Sequence, residues 1–410
     1  MKKLSNVEWY EKLEKYVGGG SSTGSKRALL LPEEPSVIVK GKGCRVWDAD
    51  GKEYIDYRNG LGPVTLGYGY PAINQAIVEQ MENGFVFGHP NNMEAEVAEL
   101  FCELIPSAEK VRFLKTGGEA CAAAIKLARA YTGKDHIIQI GYNGWLNTIA
   151  SGARLNPREE SKGAPVGVPQ AVSDLFHAVQ WADEEAITKL FSMYEGKIAA
   201  LIVSADYANM EAGKTFYPFL REITKKNNSL LIYDEIVTGF RIAIGGVQEY
   251  FEVIPDMSVF AKGIANGMPL SIFCGKTEIM DMLSKGASVS STYGGETLSL
   301  AACKAAINVY REENVCQYLW TTGEKLWSQV NGLFDKYNVP VTIKGFWPCP
   351  NFVPQQGAPS DILSRFFRSA YKNGVSLYNV SYVNYSHKED DIAETVDRLE
   401  QAVKELTNSL

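Results

Sequence analysis

The segment from Leu230 to Pro269 gives the strongest indication of the fold, and it reads LLIYDEIVTGFRIAIGGVQEYFEVIPDMSVFAKGIANGMP. It opens with a short apolar run that ends in Asp234 and Glu235, the pattern of a buried parallel strand with polar chemistry at its carboxyl end. A second apolar run, Met257 to Ala261, leads to Lys262 and a glycine-rich turn. Because open α/β sheets bind ligands at the carboxyl ends of their strands, we expect the acid and the lysine to meet in one cleft.

A carboxylate and a lysine in one cleft suit a particular cofactor chemistry. An aldehyde cofactor forms a Schiff base with a lysine amine while a carboxylate keeps its pyridine nitrogen protonated, and pyridoxal phosphate is the common case. A desolvated lysine amine is also a usable nucleophile at neutral pH. Taken alone, Asp234 and Lys262 fit a surface lysine and a solvated acidic pair equally well, so both interpretations stay open at this point.

The composition of the 410-residue chain is that of an ordinary globular enzyme. Its length predicts two or three domains, or one large domain with terminal additions. The net charge of −7 argues against nucleic acid or an acidic membrane surface as the main partner. The sequence contains neither a membrane-length apolar run nor the apolar core of a signal peptide, so we expect a cytoplasmic protein. The 7 cysteines form no CxxC and the 4 histidines show no metal-binding spacing, which predicts reduced thiols and no metal site.

Short apolar runs alternate with helical segments from Val111 onward. This alternation predicts an α/β fold with a mostly parallel sheet that is covered on both faces. We expect an N-terminal segment and β-meander in residues 1–60, a large domain in 61–313, and a small α+β domain in 314–410 that the meander joins. The small domain is predicted to include a short strand at Tyr382–Asn384. The strands predicted for the large domain are Val111–Leu114, Ile137–Ile140, Leu175–Val179, Ile198–Val203, Leu230–Tyr233, Met257–Phe260 and Ser271–Cys274.

Two further motifs follow predicted strands and suit a cofactor site. Gly117 and Gly118 lie between a strand and a helix, where backbone N–H groups and the helix dipole favour a phosphate. Tyr142 follows the next strand, in a position where an aromatic side chain could lie on a planar ring. Each motif is weak by itself, because glycine turns before helices and packed aromatic residues are common. The two commonest nucleotide-binding fingerprints, GxxxxGK[ST] and GxGxxG, do not occur in the sequence.

Taken together, these motifs resemble those of the class III, fold type I pyridoxal-phosphate aminotransferases, and within them most closely glutamate-1-semialdehyde aminomutase and its relatives. The resemblance covers nearly the whole chain. It implies an α/β fold type I transferase, with a large domain around a mostly parallel seven-stranded sheet and a small domain built from both termini. The motifs that carry it are TGGEA (116–120), GYNGW (141–145), DEIVTGFR (234–241), AKGIANGMP (261–269) and STYGGETLSLAA (291–302).

The resemblance implies catalytic roles for residues around the cofactor ring. Lys262 forms the Schiff base with pyridoxal phosphate and then moves the proton between the substrate carbon and the cofactor carbon. Asp234 pairs with the pyridinium nitrogen and keeps the ring protonated. Tyr142 covers one face of the ring, and Ile236 packs on the other.

The resemblance also implies how the cofactor phosphate is held. Gly117 and Gly118 offer backbone N–H groups to the phosphate. Thr292 lies where the family has a threonine that reaches the phosphate of the neighbouring subunit. The expected assembly is therefore at least a homodimer with a shared active site.

Departures from the family pattern lie mostly on the substrate side. The usual SGTEA is TGGEA here, so the threonine hydroxyl at Gly118 is missing, and the usual histidine after the tyrosine is Asn143. Ser204 replaces a glutamate near the ring, which makes it a candidate substrate-binding residue. The aminomutase has an N-terminal arginine for its substrate carboxylate, and either Lys26 or Arg27 stands in the corresponding region. Both are equally well explained as solvated loop charges.

The function predicted from these residues is a pyridoxal-phosphate-dependent aminotransferase that moves an amino group between an amino donor and an aldehyde or ketone acceptor. One alternative is a glutamate-1-semialdehyde 2,1-aminomutase, in which the amino group returns to the same molecule. A second is a racemase or epimerase on the same scaffold. A non-catalytic cofactor-binding role is disfavoured because Lys262, Asp234 and Tyr142 are all present. The expected partners are small-molecule amines and carbonyl compounds, without nucleic acid or membrane.

Overall fold

A computed structural model describes residues 4–27, 31–146 and 164–407 of the chain. The chain divides into two units, one formed by Met1–Pro71 with Tyr318–Leu410 and the other by Ala72–Gln317. The second, larger unit contains the main sheet, and the smaller unit contains both termini.

Strands occur in both units. Those formed by the described residues are β1 (Ile38–Lys42), β2 (Arg45–Asp48), β3 (Glu53–Asp56), β4 (Lys110–Leu114), β5 (His136–Ile140), β6 (Phe176–Val179), β7 (Ile198–Ser204), β8 (Leu230–Asp234), β9 (Met257–Phe260), β10 (Ser271–Gly275), β11 (Val341–Lys344), β12 (Asn351–Pro354) and β13 (Val375–Ser376).

Helices alternate with these strands along most of the chain. They are α1 (Asn6–Tyr16), α2 (Pro71–Met81), α3 (Asn92–Leu104), α4 (Gly117–Thr132), α5 (Gln170–Ser173), α6 (Glu184–Met193), α7 (Gly213–Lys226), α8 (Val247–Tyr250), α9 (Thr277–Met280), α10 (Thr297–Glu312), α11 (Val315–Lys336), α12 (Ile362–Lys372) and α13 (Glu389–Thr407). Among the described residues, none of the helices combines the length and the apolar character that crossing a bilayer requires.

The sheet of the larger unit has seven strands in the order β4-β10-β9-β8-β7-β5-β6. Strands β9, β8, β7, β5 and β6 run parallel to one another, whereas β10 is antiparallel to both β9 and β4. The predicted α/β fold with a mostly parallel seven-stranded sheet is therefore confirmed. Each strand predicted for this sheet is present, and the observed bounds differ from the predicted ones by at most one residue.

The core of the larger unit lies on the central strands. Every residue of β7, β8, β9 and β10 is buried, as expected for strands that are covered on both faces of a sheet. Helix α4 packs on this sheet through small side chains, among them Ala120, Ala123, Ala124 and Ala128. Small side chains let the helix lie close to the strands, and this close packing fixes the position of its first turn at Gly117.

The smaller unit contains a four-stranded sheet in the order β1-β2-β3-β13 and a separate β11-β12 pair. Strand β13 pairs in parallel with β3, with Val375 opposite Ile55, so the two ends of the chain share one sheet. Near this sheet the buried Tyr57 ring stacks on His387 with a centroid separation of 4.2 Å. The Tyr57 hydroxyl lies 2.8 Å from the Thr395 hydroxyl of α13.

The predicted strand at Tyr382–Asn384 is wrong, since these residues form no ladder. Their backbone donors are divided between two different segments. Tyr382 N donates to Tyr57 O at 2.7 Å, and Val383 N donates to Pro348 O at 3.2 Å. The alternating apolar pattern here reflects burial between two segments rather than pairing with one strand.

Candidate active site

Most of the predicted site residues of the larger unit lie at one edge of its sheet. Strands β4 and β9 are each antiparallel to β10, so their carboxyl ends lie at the same edge as those of β5, β7 and β8. The order of the strands also changes direction at β5, with β6 on one side and β7 on the other, and open α/β sheets bind ligands at such points. The segments that reach this edge are Lys115–Gly118 after β4, Gly141–Asn143 after β5, Ser204, Asp234, and Lys262 after β9.

Asp234, the last residue of β8, is a buried carboxylate with several donors. Its Oδ2 accepts from Asn143 Nδ2 at 2.9 Å and from Cys121 Sγ at 3.7 Å, and its Oδ1 accepts from Ile236 N at 3.1 Å. Burial raises the pKa of Asp234, and the hydrogen bonds from Asn143 and Ile236 together with the charge of Lys262 act in the opposite direction. The carboxylate is therefore held in place by donors that favour its ionised form.

Lys262 begins the turn that follows β9. Its φ of 50° lies in the left-handed region, which is uncommon for a residue with a side chain, and Asn266 ends the turn in the same region with a φ of 44°. Tyr310 Oη of α10 donates to Gly263 O at 3.1 Å and so ties the turn to a buried helix. Lys262 follows β9, which pairs in parallel with β8, so the lysine and Asp234 stand at the carboxyl ends of adjacent strands.

The turn before α4 presents free helical N–H groups. Thr116 is the N-cap residue, and its hydroxyl accepts from Glu119 N at 3.3 Å while the Glu119 carboxylate accepts from Thr116 N at 2.8 Å. A Cβ at Gly117 would lie 2.4 Å from Ile236 Cδ1, so a larger residue there requires the Ile236 side chain to shift. A Cβ at Gly118 would meet Gly144 Cα at 3.8 Å, an ordinary contact, so this position is open rather than crowded.

Tyr142 and Asn143 follow β5 and lie in different environments. Tyr142 is 53% exposed, and its pKa is raised by partial burial and by the nearby charge of Asp234. Asn143 is buried and donates to Asp234, while its Oδ1 has no hydrogen-bond partner among the described residues. The sequence indicated Asn143 only as a departure from a family pattern. Its contact with Asp234 joins residues 91 apart in the chain, which no local pattern predicts.

Ser204 ends β7 directly beside Asp234, because the two residues are opposite each other in the sheet register. Its hydroxyl donates to Ile140 O at 3.4 Å. Gly141 has a φ of 76°, and a Cβ there would overlap the Ser204 hydroxyl. A small side chain at Ser204 and a glycine at 141 therefore depend on each other.

Glu235, the second acid of the motif, has a structural role that the sequence did not distinguish from that of Asp234. It is fully buried and accepts from the Thr238 hydroxyl, from Val247 N at 2.9 Å and from Gln248 N at 3.2 Å. Burial raises its pKa to about 7. These bonds connect Glu235, the first residue after β8, to later residues of the same loop. Glu235 therefore shapes the loop, whereas Asp234 faces the site residues.

The remaining predicted residues lie elsewhere. Thr292 is exposed, in the segment that precedes α10. Lys26 and Arg27 belong to the smaller unit and are exposed, and Arg27 lies 3.5 Å from Glu14. Sequence reasoning missed Arg58. Its guanidinium donates to the backbone oxygen of Ser25 and to Glu34 in the same unit. Arg58 therefore holds the end of the glycine- and serine-rich segment 18–25.

In the part of the chain that the structure describes, no group of His, Cys, Asp or Glu is arranged to hold a metal ion. The groups at the sheet edge are a buried carboxylate, a lysine amine, an aromatic ring and a helix N-terminus. Together these groups can bind an anion and a protonated ring nitrogen, and they can hold a carbonyl compound covalently.

Comparison with known proteins gives a consistent result. The profile of the family "Aminotransferase class-III" matches residues 31–403. A glutamate-1-semialdehyde 2,1-aminomutase from Persephonella marina is 33% identical over 99% of this chain and 100% of its own length.

Two solved structures have the same fold. A structure described as a transaminase with PLP bound has a TM-score of 0.90 and 22% identity, and the match covers 100% of this chain and 99% of that one. An omega-transaminase from Sphaerobacter thermophilus has a TM-score of 0.88 and 24% identity, with 98% and 97% of the two chains covered. The fold is therefore that of the fold type I transaminases, and the chain belongs to the class-III aminotransferases, a family of enzymes.

Proposed function

We propose that the protein is a pyridoxal-phosphate-dependent aminotransferase that moves an amino group between an amino donor and an aldehyde or ketone acceptor. The observation that carries the proposal is that a buried carboxylate, Asp234, and Lys262 stand at the carboxyl ends of the adjacent parallel strands β8 and β9. Membership of the class-III family and the PLP-bound transaminase of the same fold support it.

The residues at the sheet edge fit this cofactor group by group. A pyridinium nitrogen needs a carboxylate that stays ionised, and Asp234 receives donors from Asn143 and Ile236. A phosphate needs backbone donors, and the first turn of α4 at Gly117 supplies them without a Cβ in the way. An aldehyde needs an amine, and Lys262 supplies it.

Each side chain has a defined role in this proposal. When bound, pyridoxal phosphate supplies a ring that withdraws electrons from the substrate carbon. Lys262 would hold the cofactor through its amine and carry a proton at Nζ to and from the substrate. Asp234 would hold the proton of the ring nitrogen, and Asn143 would keep that carboxylate ionised. Tyr142, half-exposed beside Asp234, would lie on the ring and exclude water from one face.

We also propose a homodimer in which Thr292 acts at the cofactor phosphate of the partner subunit. Exposed apolar side chains near this segment support the idea, since Phe85 and Phe87 are each 47% exposed and Tyr293 is 59% exposed. The backbone of Phe85 accepts a hydrogen bond from Thr297 N, which places these side chains close to the same segment. Apolar surface of this kind is typical of a protein interface.

A glutamate-1-semialdehyde 2,1-aminomutase is the second candidate, because a relative of that name matches the chain over its full length. Both candidates use the same cofactor chemistry and differ in whether the amino group leaves with the donor. Ser204, beside Asp234, stands where the family pattern has the larger, acidic glutamate. This difference alters the substrate side of the site and favours an aminotransferase with a different acceptor.

The first experiment is to record the absorbance spectrum of the purified protein with pyridoxal phosphate during titration with amino donors, including glutamate and glutamate-1-semialdehyde. Bleaching of the visible band together with formation of an oxo acid is the expected result. A response to the semialdehyde alone would support the aminomutase. Exchange of the substrate proton without any oxo acid would indicate a racemase.

The Lys262→Ala variant tests the covalent attachment. We expect it to lose the visible band and the borohydride-reducible adduct, because no other amine follows β9 at this position. Lys276→Ala is the matched control, since Lys276 is a partly exposed lysine that pairs with Asp256 in the same unit. An adduct mapped to a lysine other than Lys262 would refute the assignment.

A further inference from the structure

A partly buried ion pair in the larger unit is not explained by the proposed chemistry. Lys115 Nζ donates to Glu296 Oε1 at 2.8 Å, and their side chains are only 15% and 11% exposed. The two residues are 181 positions apart, and each stands in or directly beside a motif that carries a proposed cofactor contact. Lys115 directly precedes the Thr116–Gly118 turn, and Glu296 closely follows Thr292.

Glu296 also determines where helix α10 begins. It is the N-cap residue, and its carboxylate accepts from Leu298 N at 2.9 Å and from Ser299 N at 3.1 Å. Burial by itself raises the pKa of Glu296, but the Lys115 ammonium and the Ser299 donors bring it below its usual range. Glu296 is therefore a charged cap whose position depends on Lys115.

The Lys115 ammonium joins a third segment as well. It donates to the backbone oxygen of Pro269 at 3.0 Å, in the segment between the Lys262 turn and β10. Ser299 Oγ donates to the same oxygen at 3.2 Å. One ammonium group thus connects the turn before α4, the segment before β10 and the start of α10.

The segment between Ser291 and Glu296 leaves little room for movement against β4. A Cβ at Gly294 would lie 2.6 Å from Phe113 O, so glycine is needed where the segment crosses that strand. Thr292, in contrast, is exposed in the single chain. The backbone at Gly294 therefore packs closely on β4, whereas Thr292 and Tyr293 of the same segment are exposed.

We propose that Lys115 and Glu296 form a positioning pair that fixes segment 291–296 against the phosphate-binding turn, so that Thr292 is held in place for the cofactor phosphate of the partner subunit. This inference rests on the proposed function. The pair would connect the two sites of the dimer, because Lys115 borders the phosphate turn of its own site and Thr292 serves the other. Neither residue touches the cofactor in this scheme.

The test compares two probes, pyridoxal 5′-phosphate and pyridoxal, whose only difference is the phosphate. In Lys115→Met the dissociation constant of pyridoxal 5′-phosphate should rise roughly tenfold, the size of one hydrogen bond to a charged group. The dissociation constant of pyridoxal should change less than about twofold, since the pair acts only through phosphate contacts. Lys115→Arg, which keeps the charge, should restore most of the affinity.

Two further variants keep the test decisive. Lys110→Met is the matched control, because Lys110 begins β4, the strand that Lys115 follows, and pairs with Asp281 at the surface; its affinity for both probes should match wild type. Lys115→Met combined with Glu296→Gln leaves no lone buried charge and retains an acceptor at the cap, so it decides the outcome if the single variant folds poorly.

A double-mutant cycle with Thr292→Val tests the route. If Lys115 acts through Thr292, adding Lys115→Met to Thr292→Val should cost less than about a twofold further loss of affinity. Additive losses would overturn the inference, and so would equal losses for both probes or an unchanged affinity in Lys115→Met. A wild-type protein that binds neither probe would refute the proposed function and this inference with it, whereas normal wild-type binding with an unchanged variant refutes the inference alone.

Discussion

Replacing Asn143 by leucine should change how cofactor binding depends on pH. Asn143 Nδ2 donates to Asp234 Oδ2 at 2.9 Å, and this bond favours the ionised carboxylate. Leucine has nearly the same size and lacks the donor. It also removes the buried Asn143 Oδ1, which has no partner in the described part of the chain, so the variant should fold without a large loss of stability.

The size of the effect follows from the lost hydrogen bond. A hydrogen bond to a charged group contributes about 1.5–3 kcal/mol, and one pKa unit corresponds to about 1.4 kcal/mol. The pKa of Asp234, which burial already raises, should therefore rise by a further one to two units, roughly. A protonated carboxyl cannot pair with the proton of a ring nitrogen, so cofactor binding to the apoprotein should weaken as the pH falls below this pKa.

The assay is the dissociation constant of pyridoxal 5′-phosphate for the apoprotein, measured against pH in both proteins. The cofactor's own titrations are the same in the two series, so their difference reports the protein. The acidic limb of the variant should lie roughly one to two units higher, and the two curves should meet at high pH. Cys121→Ala is the control, because Cys121 donates to the same oxygen at 3.7 Å through a weak S–H donor and should shift the limb much less. Superimposable curves for Asn143→Leu and wild type would show that the reasoning is wrong.

Two further predictions concern stability. Gly246→Ala should lower the free energy of unfolding by roughly 3 kcal/mol, because a Cβ there would overlap the Glu235 carboxylate and the φ is 73°; Gly133→Ala, with a φ of 66° and open space around it, should cost only about 1 kcal/mol in urea unfolding. Burial lowers the pKa of His387 to about 3, so the unfolded state binds a proton that the folded state does not, and stability falls as the pH drops from about 6.5 towards 3, by up to roughly 5 kcal/mol. His387→Asn, which keeps an acceptor for the backbone N–H of Asn384, should flatten this part of the pH profile, and an equally steep profile would contradict the assignment.

Local pattern was sufficient for the parts of the protein that depend on short-range periodicity. Short, mostly apolar runs predicted the seven strands of the large sheet, because strands covered on both faces contain few polar side chains. The same logic placed Asp234 and Lys262 at strand ends, where the chain leaves the core. The failure at Tyr382–Asn384 has the same origin, since burial between two segments produces the same pattern as pairing with a strand.

Long-range contacts were beyond this reasoning. Asn143 was visible only as an unusual residue, and its role as a donor to Asp234 depends on β5 and β8 ending at the same edge of the sheet. Asp234 and Glu235 are adjacent in sequence, yet one contacts the site residues and the other folds its own loop. The direction in which each side chain leaves the strand decides which acid contacts the site residues and which one bonds to the loop.

Residue type and spacing within a few positions predicted the succession of strands and helices along the chain, the α/β class and the two residues around which the chemistry is proposed. The arrangement of the strands within the sheet, the partner of Asn143 and the ion pair between Lys115 and Glu296 are apparent only in the folded protein. Hydrogen bonds and ion pairs act over a few ångströms, whereas their partners here are separated by tens to hundreds of residues, and the packing of the sheet brings them together.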